Sequence, residues 1–151
     1  MKRSPFCVFK PCIFCAYVSY QAERVLIYED ELVVAFQSKA PASSKHILIV
    51  TRAHIPTVRE LGAGHIPLLQ HMEHIGKTVL GDCNIPEQGS NTKKYQYGFH
   101  VPPFNSVDHL HLHCFRLPFH SNFKRVKYLP GTPWFCTVSD LLQKLEREPR
   151  K

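Results

Sequence analysis

The stretch Ser106-Val107-Asp108-His109-Leu110-His111-Leu112-His113-Cys114-Phe115 holds the densest chemistry in this chain. Three histidines alternate strictly with two leucines, and on a β-strand residues at i, i+2 and i+4 share one face. His109, His111 and His113 therefore line one side, while Leu110, Leu112 and Cys114 turn toward a core. Neighbouring imidazoles are costly to desolvate unpaired and titrate near neutrality, which makes them poor packing material. A chance run or a solvated edge strand gives no reason for so strict an alternation. Handling of phosphate or binding of a metal does.

Other reactive groups stand apart from that run. Cys12-Ile13-Phe14-Cys15 is a Cys-x-x-Cys in an apolar setting, open to three readings. It can be a buried pair of small hydrophobes, a redox pair, or half of a zinc site that takes two further ligands elsewhere. No thioredoxin-like βαβ pattern follows it, and with ten histidines in the chain zinc is the favoured reading. His46 and His54 flank one apolar segment and can serve different sites. His71 and His74 lie on or beside the polar face of a helix and read as surface residues.

The elements that must position these groups follow from periodicity. Val25–Tyr28 and Leu32–Phe36 flank an acidic turn and read as a β-hairpin; residues 37–45 are a polar loop. His46–Thr51 is a third strand. Ile66, Leu69, Met72, Ile75 and Val79 recur at helical steps and predict an amphipathic helix over Ile66–Leu80. Residues 81–94 form a polar loop, expected to be the most flexible part. Tyr95–Val101 is a fourth strand, stopped by two prolines, and the histidine run is the fifth. Residues 119–135 read as basic, aromatic and irregular. Thr137-Val138-Ser139-Asp140 has capping-box spacing and opens a C-terminal helix. The expectation is an α+β fold: a mainly antiparallel five-stranded sheet, one long helix and a C-terminal helix. Residues 1–11 are expected to be a flexible N-terminal arm, and residues 12–151 a single domain.

The net charge of +7 favours anionic partners. The basic residues are spread without a Lys/Arg block, so a nucleic-acid surface is possible but not favoured. No apolar run approaches the length that spans a bilayer, and the start lacks the apolar core of a secretory signal. Six scattered cysteines do not resemble a secreted disulfide framework, which points to the cytoplasm or nucleus.

With these residues in hand, His109-Leu110-His111-Leu112-His113-Cys114-Phe115 resembles the His-φ-His-φ-His-φ-φ signature of the histidine-triad (HIT) nucleotide hydrolases and transferases. The resemblance runs from Cys12 to about Leu117. Gly98-Phe99-His100-Val101-Pro102-Pro103-Phe104-Asn105-Ser106 and the later Pro133-Trp134-Phe135 are similar to the Hint-like branch, particularly its plant-type form.

The resemblance implies a nucleotide hydrolase that releases AMP through a covalent adenylyl-histidine intermediate. Its substrates would be adenosine 5′-phosphoramidate, an adenylyl-amine or adenosine 5′-phosphosulfate. It places the nucleophile at His111, with His113 and His46 donating to the phosphate oxygens and Ser106 beside the leaving atom. His100 resembles a histidine that aprataxins use near the leaving group. Phe36, Gln37, Ser38 and Asn105 complete the expected nucleotide contacts. Ser38 stands where the family usually has an Asp that holds both ribose hydroxyls, and a serine makes fewer and weaker bonds to a diol. Cys12, Cys15, His54 and His109 match the four ligands of a structural zinc. A homodimer is also implied. The alternatives are an aprataxin-like enzyme that removes AMP from nucleic-acid 5′ ends, and a non-catalytic nucleotide-binding scaffold.

Overall fold

A computed structural model describes residues 12–82 and 94–148. The expected arm over residues 1–11, and residues 83–93 of the expected flexible loop, lie outside the described residues.

The described residues form a six-stranded antiparallel sheet. Its strands are β1 (Tyr28–Glu29), β2 (Val33–Gln37), β3 (Ser43–Thr51), β4 (Tyr95–His100), β5 (His111–Phe119) and β6 (Phe135–Thr137), in the order β1-β2-β3-β5-β4-β6. Among the described residues four α-helices accompany it: α1 (Ile13–Val18), α2 (Ile66–Leu80), α3 (Asn122–Lys127) and α4 (Val138–Arg147). Among the described residues, no helix is long and apolar enough to cross a membrane.

Alternation along the central strands separates two faces. Val33, Ala35, Ile47, Ile49, Leu112 and Cys114 point to the side covered by α2 and α4, where Leu69, Met72, Ile75, Leu141 and Leu145 close the main core. Each fully buried leucine or methionine there contributes about 1.5–3 kcal/mol. Val34, Phe36, Leu48 and Val50 point to the opposite side, against Phe14, Tyr17 and Val18 of α1. Because both faces are covered, β2 is buried from Val33 to Phe36 and β3 from His46 to Thr51.

The long helix has the expected bounds. Pro67 lies in its first turn, and Gly81, at φ 74°, caps it by donating its N–H to the carbonyls of Lys77 and Thr78. At Gly76 the helix lies so close to the sheet that a Cβ would stand 2.7 Å from Cys114 Sγ. Thr137 caps α4, its hydroxyl accepting from Asp140 N–H as the spacing predicts.

Three elements were not expected. Cys12 Sγ accepts from Cys15 N–H and starts α1. Ser121 caps α3 in the region expected to be irregular. β6 adds a sixth strand beside β4, where Gly98 makes room: a Cβ there would stand 2.5 Å from the Phe135 ring and 2.6 Å from Cys136 O. The histidine strand also starts later than its alternation suggests. Leu110 N–H donates to Ile55 O, so His109 and Leu110 run beside the loop after β3, and regular pairing begins at His111.

Candidate active site

The register of β3 against β5 sets His46 opposite Phe115, Leu48 opposite His113 and Val50 opposite His111. His46, His111 and His113 thus share the sheet face that carries α1 and α3. His100, at the end of β4, joins them with its ring 5.0 Å from that of His113. Phe14 of α1 walls one side, 5.0 Å from the His111 ring, and Tyr128, just after α3, walls the other, 5.2 Å from His113.

Backbone contacts decide where the imidazole protons sit. His111 Nδ1 lies 2.6 Å from His109 O, which can only accept, so Nδ1 carries the hydrogen and Nε2 keeps its lone pair. His46 Nδ1 accepts from Ala42 N–H at 3.2 Å, so Nε2 carries the proton and donates to His113 Nδ1 at 2.9 Å. His113 in turn holds its hydrogen on Nε2, a buried atom with no partner among the described residues. His100 Nε2 donates to Lys127 O at 3.1 Å.

These rings are neutral near pH 7. Burial lowers His111, with the His109 carbonyl pulling the other way. Burial, and then Lys124 and Lys127, push His46 down to about 3. His113 is held well below the ordinary histidine range by burial and by the histidines around it. Burial also lowers His100. A neutral imidazole with a fixed tautomer is a nucleophile; a protonated one is not.

A second cluster lies at the other end of the histidine run. Cys12 Sγ, Cys15 Sγ, His54 Nδ1 and His109 Nδ1 all lie within 4.8 Å of one another. The closest pairs are Cys15–His54 at 3.2 Å, Cys12–His109 and His54–His109 at 3.3 Å, and Cys15–His109 at 3.5 Å. A tetrahedron with zinc–nitrogen and zinc–sulfur bonds of ordinary length has edges of roughly 3.3–3.8 Å. His109 Nε2 donates to Thr51 O at 2.6 Å, leaving Nδ1 as a lone pair aimed into the cluster. The donor set and its spacing therefore fit zinc. Cys15 is disulfide-bonded in this structure, and that bond must be reduced before its sulfur becomes a thiolate ligand.

The remaining expected contacts are less convergent. Phe36 is 1% exposed, so its ring is not open for stacking; the Arg24 guanidinium covers it, with Cζ 4.9 Å from the ring centroid. Gln37 and Ser38 line a cleft at the end of β2. Asn105 is folded onto its own loop, donating to Asp108 Oδ1 at 2.8 Å, and Ser106 is exposed in that loop. His71, read as a surface residue, pairs with Asp30 at 2.6 Å and ties α2 to the β1–β2 turn. Sequence reasoning did not single out Arg24 or Tyr128. Neither sits in a motif, and only the fold brings them to the histidines and the cleft.

Residues 11–128 match the family described as "Scavenger mRNA decapping enzyme C-term binding". The bifunctional adenosine 5′-phosphosulfate phosphorylase/adenylylsulfatase HINT4 of Arabidopsis thaliana is 39% identical over 142 residues, covering 91% of this chain and 93% of the relative. The chain belongs to the histidine-triad family. Within it the Hint-like likeness recurs: adenosine 5′-monophosphoramidase HINT3 of Mus musculus is 34% identical over 139 residues, 90% of this chain and 82% of that one. Among solved structures, a HIT family hydrolase from Legionella pneumophila superposes with a TM-score of 0.62 at 24% identity. It covers 74% of this chain and 97% of its own, and it shares the fold.

Proposed function

We propose that this HIT protein hydrolyses adenosine 5′-phosphoramidate, adenylyl-amines or adenosine 5′-phosphosulfate to AMP through an adenylyl-His111 intermediate. The observation that carries the reading is the 2.6 Å bond from His111 Nδ1 to His109 O, which leaves Nε2 as the lone pair. Nε2 attacks the α-phosphorus in line; the N–P bond forms as the bond to the amine or sulfate breaks. Water then attacks the adduct, releasing AMP and restoring His111.

His113 is assigned to the charge developing on the non-bridging oxygens, since its Nε2–H is an unspent donor. His46, both of whose nitrogens are engaged, is assigned to orient His113 in place of a direct phosphate contact. Ser106 and His100 are assigned to the leaving-group side. An amine must gain a proton to leave and sulfate need not, so the choice of leaving group rests there. Gln37, Ser38 and Asn105 are assigned to the nucleoside, with Phe36 buried behind them.

Zinc on Cys12, Cys15, His54 and His109 would be structural, because protein ligands fill all four positions. It would tie the start of α1 to the approach to β5. A homodimer and a reducing compartment, cytoplasm or nucleus, complete the reading on the family likeness and cysteine usage.

The names of HINT4 and HINT3 support this substrate class. Mass spectrometry of protein quenched during turnover tests it: AMP is expected on His111, and an adduct on another residue, or none, would remove the mechanism. A second reading, a nucleic-acid 5′-adenylate as substrate, draws on Lys124 and Lys127 of α3, whose charges reach His46. Adenylylated DNA in the substrate panel decides between the two.

A further inference from the structure

Beside β2 the structure has a cleft of about 870 Å³ whose lining includes Tyr17, Glu23, Arg24, Gln37, Ser38 and Lys39. Ser38 N–H donates to His46 O at 2.9 Å, so the cleft begins one strand from His46. It opens on the histidine face, because Tyr17, which lines it, packs on Phe36 in the cluster under α1. From β5 to β2 is two strand spacings, roughly 10 Å. Val34 is the β2 residue level with His111 and Ser38 lies four positions further on, so a nucleoside with its 5′ phosphorus at His111 meets this cleft when it extends across the sheet toward the end of β2.

Two cations, Arg24 and Lys39, line the cleft beside apolar Val25, Leu26 and Ile27. Arg24 Cζ lies 5.8 Å and Lys39 Nζ 5.7 Å from the centroid of the Tyr17 ring, so two cations converge on one aromatic side chain. The Arg24 guanidinium is half-spent: Nη2 donates to Gln37 O, while Nε is buried with no hydrogen-bond partner among the described residues. The Ser38 hydroxyl accepts from Ala40 N–H at 3.4 Å and keeps its own O–H to donate. The lining has one carboxylate, Glu23, which is exposed at the rim. A ribose diol is neutral and gains little from two cations. A phosphate dianion gains from both, and from the fork geometry of arginine.

We infer that this cleft is a phosphate subsite on the sugar side of the nucleotide, and that the preferred ligands are adenosine 5′-derivatives carrying a further phosphate on the ribose 3′ or 2′ oxygen. The inference rests on the proposed placement of the 5′ phosphorus at His111, and it names the substrate class of that site.

Calorimetric titration of the full chain with AMP, adenosine 3′,5′-bisphosphate and adenosine 2′,5′-bisphosphate tests it and separates the two phosphate positions. One bisphosphate is expected to bind about tenfold tighter than AMP, the scale of one charge-assisted contact. That ratio should fall toward one in Arg24→Gln and in Lys39→Gln. Lys39→Gln carries the test if the arginine variant does not fold. AMP binding as tightly as both bisphosphates, or a preference that survives both substitutions, overturns the subsite. Because binding is read without turnover, a protein that prefers the bisphosphate but forms no adduct on His111 would sink the hydrolase reading and leave the subsite standing.

Discussion

His46 Nε2 donates to His113 Nδ1 at 2.9 Å, and Ala42 N–H fixes the far side of the same ring. One backbone amide thus determines, through two imidazoles, that His113 offers a hydrogen and not a lone pair. His46→Leu removes that instruction, and kcat is expected to fall by about 10²-fold with KM little changed. His46→Gln keeps an N–H donor and should recover part of the loss. Steady-state kinetics on both variants check this; equal losses would show that His46 acts by packing alone.

His111→Ala is expected to abolish turnover and the adduct while AMP affinity stays within about tenfold, since the nucleophile contributes to the reaction more than to ground-state binding. Single-turnover assays with calorimetry on the same preparation read both. A variant that still turns over near the parent rate removes His111 from its role.

Acid should weaken the fold before the carboxylates titrate. His46 is held at about 3 against an ordinary 6.5, and His113 is also lowered well below it. Unfolded, these side chains take up protons that the folded chain refuses, so the folded state is favoured above 6.5 and loses that advantage as the pH falls toward 3. Each group inside its window costs about 1.4 kcal/mol per pH unit. Urea midpoints on either side of that threshold measure the slope, and His46→Phe should make it shallower. A flat profile down to the carboxylate range would contradict the burial of neutral histidines.

Protein purified under reducing conditions without chelator is expected to hold about one zinc per chain. Cys12→Ser should lose the metal and lower Tm by roughly 5–10 °C. Elemental analysis with calorimetry checks both. Absence of zinc from the parent protein reduces the four side chains to packing.

Gly98→Ala places a methyl group 2.5 Å from the Phe135 ring. The expected cost is about 1–3 kcal/mol of stability, with loss of β6 pairing. Denaturant unfolding gives the first, and amide exchange at Phe99 and Val101, whose N–H groups face β6, the second.

The periodic parts of this chain were legible in its sequence. The 3.6-residue spacing gave α2 its bounds, Thr137 and Asp140 marked α4, and strict alternation put Leu112 and Cys114 in the core opposite His111 and His113. The family resemblance, and not spacing alone, picked out the four residues that cluster at 12, 15, 54 and 109. Contacts decided by tertiary approach were not legible. β6 is three residues long and forms because Gly98 lets it in; α3 has six residues and no apolar period. The bond from His46 to His113 depends on the Ala42 amide, and no spacing encodes that.

Within β5 the same backbone serves two masters, with reactive rings on one side and oily side chains on the other. Inserting or deleting a single residue between Leu110 and His113 would exchange them, driving imidazoles beneath the long helix and leucines into the groove. Frame-preserving changes at Leu112 or Cys114 should tune robustness while leaving reactivity alone. A one-residue slip in that short span ruins both together, so deep mutational scanning that includes single-codon indels should find there its sharpest contrast between tolerated substitution and lethal length change.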